Sequence, residues 1–138
     1  MMRTRYSFSI NALLLGVLLC GAAQAQESLS LIQPADLAKI LQSSAKEKPL
    51  VLQVGFHVLY ASRHIPGAEY AGPASDPQGL AALRARVRDL PHDRFIVLYC
   101  GCCPWTHCPN VHPAYQALHA LGFNNVKVLY LADNFRSD

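Results

Sequence analysis

Outside one short stretch, this sequence is poor in the residue types that carry chemistry. No cysteine lies between Cys20 and Cys100, and no arginine lies between Arg94 and Arg136. Charged residues make up only 15% of the chain, with 12 basic against 9 acidic. That balance encodes no field for gripping a polyanion, so nucleic acid is excluded as a partner. Arg84, Arg86 and Arg88 alternate along one expected helix and read as a solvated face. The sequence also lacks an apolar run long enough to span a bilayer, since the longest, Ile10 to Leu19, is about half of what a membrane helix needs.

What that short run does have is the context of an export signal. Arg3 and Arg5 precede it, and Ala23-Gln24-Ala25 follows it as a small-x-small site. A basic, an apolar and a small-residue region in that order describe a secretory signal peptide over residues 1–25. The expected location is therefore periplasmic or secreted, with no stable membrane association once the signal is removed. Cys20 raises a lipoprotein alternative, but Leu19 stands where lipid attachment favours a small residue. Taking residues 1–25 from 138 leaves 113, enough for one domain, and leaves ten basic against nine acidic residues, a net charge of +1.

The remaining chain alternates between helical and extended patterns. Leu31-Ile32 can form a short strand. Pro34 then opens a helix through about Gln42, with Leu37, Ile40 and Leu41 at helical spacing. Leu50 to Val54 reads as a strand buried on both faces, and Pro66-Gly67 as a turn feeding a short strand at Glu69-Tyr70. Asp76-Pro77 reads as a cap and first turn for a helix lined by Leu80, Leu83, Val87 and Leu90. Phe95 to Tyr99 is a further strand. Asn110 is the expected cap of a helix whose inner face is Val111, Ala114, Ala117, Leu118 and Leu121, with Gly122 at its left-handed C′ position and a last strand at Val126 to Leu131. Such alternation with short connections predicts an α/β fold, a parallel sheet flanked by helices on both faces.

Between the strand signal at Phe95 to Tyr99 and the following helix stands Tyr99-Cys100-Gly101-Cys102-Cys103-Pro104-Trp105-Thr106-His107-Cys108-Pro109-Asn110, holding four of the five cysteines. Ligands of open parallel sheets bind beyond the carboxyl ends of the strands. A thiol placed there, facing a helix N-terminus, is held as a thiolate and becomes a nucleophile. Cys100 is the candidate. In an oxidising compartment the four cysteines admit three full pairings. Cys102, Cys103 and Cys108 are open to three readings: a disulfide, with Cys108 bonded to Cys102 or Cys103; a resolving thiol attacking an oxidised or persulfidated Cys100; or soft-metal ligands, with His107 as a further donor. Trp105 is either a cover or an anchor for the loop, and His107 either a cation beside an anion or an exposed loop residue.

His64-Ile65-Pro66-Gly67-Ala68, Pro34-Ala35-Asp36-Leu37, Ile96-Val97-Leu98-Tyr99-Cys100 and Leu121-Gly122-Phe123 before the last strand together resemble a rhodanese domain, over residues 31–138. The resemblance implies the rhodanese-like parallel sheet and a two-step sulfurtransferase reaction. In it Cys100 takes sulfane sulfur from a small donor such as thiosulfate as a persulfide, then passes it to a thiol or cyanide acceptor. The active-site loop would comprise Gly101, Cys102, Cys103, Trp105, Thr106, His107 and Cys108, its backbone N–H groups cradling the anion, with no cofactor and no metal. The loop departs from the family pattern in length and in lacking an arginine, which also disfavours the phosphatases built on this fold. Gln53 and Gly55 stand where the family commonly has an acidic residue and an arginine. Alternatively, the scaffold serves as a thiol-disulfide or soft-metal-binding module. The chain also stops soon after the last strand, at Asn134 to Asp138, where family members usually continue into a closing helix. A fragment, or a variant with part of one sheet face uncovered, is expected on that ground, with low stability or dimerisation.

Overall fold

Two runs without polar alternation, Leu50–Gln53 and Ile96–Tyr99, have every residue buried, which requires cover on both faces of the sheet they enter. A computed structural model describes residues 28–137; the expected signal peptide over 1–25 and Cys20 lie outside the described residues. The two runs are β2 and β4, the centre of a five-stranded sheet completed by β1 (Leu31–Ile32), β3 (Glu69–Tyr70) and β5 (Val126–Leu129). The spatial order is β1-β5-β4-β2-β3, and every pairing is parallel.

Because successive side chains alternate, β4 sends Ile96 and Leu98 to one face and Val97 and Tyr99 to the other. The first face is covered by α3 (Pro77–Val87) and α4 (Val111–Ala120), which bury Leu83, Val87, Val111, Ala114 and Leu118. On the second face lies α1 (Pro34–Gln42), anchored through Leu37. Beside it a groove of about 530 Å3 is lined by Leu37, Leu41, Val51, Ile65, Leu131 and Phe135, among others. The Lys48 ammonium closes the C-terminal end of α1, donating to the carbonyls of Ile40 at 3.1 Å, Leu41 at 2.7 Å and Ser43.

The local signals hold with three adjustments. Asp76 caps α3 as expected, its carboxylate accepting from Gly79 N–H at 2.8 Å. A helix absent from the sequence reading, α2 (His57–Ser62), has no buried residue and so leaves no apolar periodicity to read. On α4, Leu121 is exposed and Tyr115 is buried instead, because Tyr115 reaches the edge strand, where its hydroxyl accepts from Ser30 N–H at 3.3 Å. Asn110 precedes α4 but makes no capping hydrogen bond; its side chain is used in the site below.

Candidate functional site

The chain leaves β2 toward β3 on one side and β4 toward β5 on the other. The carboxyl ends of these two neighbours therefore flank a crevice, as at any such reversal in a parallel sheet. Cys100 lies there, immediately after Tyr99, and Val54 and Gly55 lie opposite. The β4 end is fixed from both sides. Gln53 Nε2 donates to the Cys100 carbonyl at 2.7 Å, and the Tyr99 hydroxyl accepts from Ile65 N–H at 3.1 Å. That second bond ties the His64-Ile65-Pro66-Gly67-Ala68 turn to the site. Burial pushes the Tyr99 phenol up to about 12, so it stays neutral and serves as an anchor.

Gly55 is glycine because the Cys100 sulfur occupies the space of a side chain: a Cβ there would lie 2.6 Å from Cys100 Sγ. Gly101 is glycine for a conformational reason, φ +88°, and a Cβ would also meet Phe135 at 3.1 Å. With that turn the chain doubles back, and Cys102 Sγ arrives 3.2 Å from Cys100 Sγ. Cys103 Sγ is 2.9 Å from Cys102 Sγ. A 3-10 turn, Trp105–His107, then returns the loop so that Cys108 joins the group. The sulfurs of Cys100, Cys102 and Cys108 all lie within 4.8 Å of one another. The C-terminal residues brace this loop: Trp105 N–H donates to Leu131 O at 3.1 Å and Phe135 N–H to Gly101 O at 3.3 Å.

Two buried amide side chains complete the surroundings. Asn110, fully buried, accepts from Ser75 N–H through Oδ1 at 2.9 Å. That bond orients the amide, so Nδ2 faces Cys100 Sγ at 3.5 Å. Gln53 leaves Oε1 without a hydrogen-bond partner among the described residues. A second polar feature is open to solvent: a cavity of about 300 Å3 reaches Cys100 and Cys102 and is lined also by Ser62, Arg63, Asn134, Phe135 and Arg136. Arg63 and Arg136 thus border the crevice although the loop has no arginine.

The thiols of the loop differ in environment. Cys100 is pushed up, by its interaction with Cys108 and by burial. Cys108 is held down at about 6 by the hydrogen bond from Cys100 and, against its burial, by the backbone N–H groups of Asn110 and Val111. Cys103 is pushed up to about 12, chiefly by burial. Helix N-terminal amides reach back only about one turn, so the sulfur they serve is that of Cys108, while Cys100 receives N–H donors from Cys102 and Asn110.

All four described cysteines are free thiols, so the bridge expected between Cys108 and Cys102 or Cys103 is not formed in this structure. Trp105 is half-buried against Tyr130, ring centroids 6.4 Å apart, and anchors the loop. His107 is exposed and bonds Thr106 Oγ1 at 2.9 Å, apart from the sulfur group. His64 stacks on Tyr60, with Nδ1 2.8 Å from the Tyr60 carbonyl, as a turn residue does. The sequence reading missed Arg63, Arg136 and the side-chain role of Asn110. Only the last carried a signal, an amide residue in an otherwise apolar and thiol-rich setting.

A family model described as the rhodanese-like domain matches residues 33–131. Among solved structures, the crystal structure of SSP1007 from Staphylococcus saprophyticus subsp. saprophyticus is similar over 77% of this chain and 89% of that one, at 16% identity and a TM-score of 0.47. No curated protein matches the chain.

Proposed function

The chain belongs to the rhodanese-like domain family, and from that membership we propose that it is a sulfurtransferase moving sulfane sulfur through a persulfide on Cys100. The observation that carries this reading is the crevice itself: the sulfur of Cys100 beside a cavity bordered by Arg63 and Arg136, with Asn110 Nδ2 behind it. A small anionic donor of the thiosulfate class is drawn toward the two positively charged residues at the cavity. As Cys100 attacks the outer sulfur, its proton passes to the neighbouring Cys108. A sulfur–sulfur bond forms to Cys100, the donor's own sulfur–sulfur bond breaks, and sulfite leaves with the electron pair. A thiolate or cyanide then attacks the outer sulfur and returns Cys100. The N–H groups of Cys102 and Asn110 support the anionic persulfide between the two steps.

We infer a periplasmic or secreted location from residues 1–25, which N-terminal sequencing of the exported protein tests. Mass spectrometry after thiosulfate treatment is expected to show one added sulfur on Cys100, absent in Cys100→Ser. An accessible but unmodified Cys100 with every donor tried would overturn the proposal. The 3.2 Å between Cys100 and Cys102 favours a second reading, a thiol-disulfide module. On that reading exchange with an external disulfide leaves a Cys100–Cys102 bridge, reduces the external partner to its two thiols, and adds no sulfur.

A further inference from the structure

Three sulfurs from two separated parts of one loop converge at a depth where water does not reach two of them. Cys100 is 3% and Cys108 4% exposed, and Cys102 is half-buried at the cavity side. All three lie within 4.8 Å of one another. A metal bound at about 2.3 Å to three sulfurs in a plane sets them about 4 Å apart, so one ion can be reached by all three with shifts of under about 1 Å. No carboxylate or imidazole belongs to the group among the described residues. An all-sulfur donor set rejects hard cations and selects soft ones. The ordinary tetrahedral demand of zinc is for four ligands, whereas only three sulfurs lie mutually within 4.8 Å and Cys103 Sγ, 2.9 Å from Cys102 Sγ, falls outside that group.

We propose that Cys100, Cys102 and Cys108 form a buried three-thiolate site for a soft monovalent cation of the copper(I) class. Three sulfur–metal bonds form as three sulfur–proton bonds break, the protons leave to solvent, and no electron moves because the ion arrives already reduced. The resulting negative charge has donors around it: the N–H groups of Asn110 and Val111 at the start of α4 on the Cys108 side, Asn110 Nδ2 on the Cys100 side, and Arg63 and Arg136 along the cavity. That cavity is the entry path. Gly55, which leaves room for the Cys100 sulfur, keeps that side of the site free of a competing side chain.

The test uses the full reduced chain under anaerobic conditions, titrated with copper(I) against a chromogenic copper(I) chelator. One copper per chain is expected to be retained, with sulfur-to-copper charge-transfer absorbance. Cys102→Ser and Cys108→Ser are each expected to weaken retention by about 100-fold or more, since even outer-sphere changes at metal sites cost about 10–100-fold. Cys103 Sγ touches Cys102 Sγ at 2.9 Å but lies outside the three-sulfur group, so Cys103→Ser is expected to weaken retention by less than either. X-ray absorption on the wild-type complex, which needs no variant to fold, is expected to show three sulfur neighbours. Copper stripped as readily from wild type as from the variants would overturn the proposal. So would a two-sulfur or four-sulfur shell, or an equal loss in Cys103→Ser.

Discussion

Asn110 is held with its acceptor on a backbone amide and its donor on a sulfur, and this division makes the residue a probe of the site. Replacing it by alanine leaves the Ser75 N–H without its partner inside the protein, a loss of about 1–3 kcal/mol, and removes the donor from Cys100. Asn110→Asp keeps an oxygen for Ser75 but turns an acceptor toward the Cys100 sulfur. Both variants are expected to lose sulfur transfer, with Asn110→Asp losing at least as much as Asn110→Ala. Rates of persulfide formation beside urea midpoints check this: a transfer rate in Asn110→Asp equal to wild type would show that the Nδ2 contact of 3.5 Å has no role. The neighbouring thiols show how little identity says about ionisation. Cys100 and Cys108 are the same chemical group, yet interaction with Cys100 and the amides of Asn110 and Val111 lower Cys108 against its burial, while interaction with Cys108 and burial push Cys100 up.

At the scale of elements, β3 and α3 are linked by a bidentate ion pair: Arg86 Nη2 donates to Glu69 Oε1 at 2.8 Å and Nε to Oε2. The hydrogen bond from Arg86 is the main cause that lowers the Glu69 carboxyl below its ordinary value of 4.5. A carboxyl lowered on folding stabilises the fold above its unfolded value, and that contribution disappears as pH falls through the folded value. Both side chains are more than a third exposed, at 37% and 45%, so solvent screening limits the pair to under about 1 kcal/mol. Glu69→Gln is therefore expected to lower the urea midpoint slightly at neutral pH and to match wild type in acid, once the pH is below the lowered Glu69 value. A deficit that persists unchanged in acid would show that the carboxylate charge contributes nothing.

For the whole molecule, the central strands carry the stability and their carboxyl ends carry the chemistry. Leu98 lies in the middle of β4, completely buried between the neighbouring strands and under the α3–α4 layer. Leu98→Ala is expected to cost about 2–5 kcal/mol, read as a lower denaturant midpoint at unchanged slope. A loss under about 1 kcal/mol would mean that the site collapses around the deletion and that β4 is less tightly packed than the structure has it. The groups around Cys100 come from β2, the turn after α2, the start of α4 and the C-terminal residues. Their convergence depends on the sheet order, because only the reversal between β2 and β4 leaves a crevice beside the sulfur.

Periodicity and turn chemistry determined the elements. The buried runs Leu50–Gln53 and Ile96–Tyr99, the Asp76 cap and the Gly122 stop are local features, and local interactions are enough to form them. The position of the four thiols between a strand and a helix was equally plain, as was the family, through short motifs. Only the tertiary structure decided which thiol faces the helix amides, that Arg63 and Arg136 border the crevice, and that Asn110 turns its N–H toward sulfur rather than capping its helix. Each of these depends on the path of the Gly101–Asn110 loop and on contacts between residues far apart in the chain. Spacing along a sequence carries no information about which amide, sulfur or guanidinium a folded loop brings within a few ångströms of another.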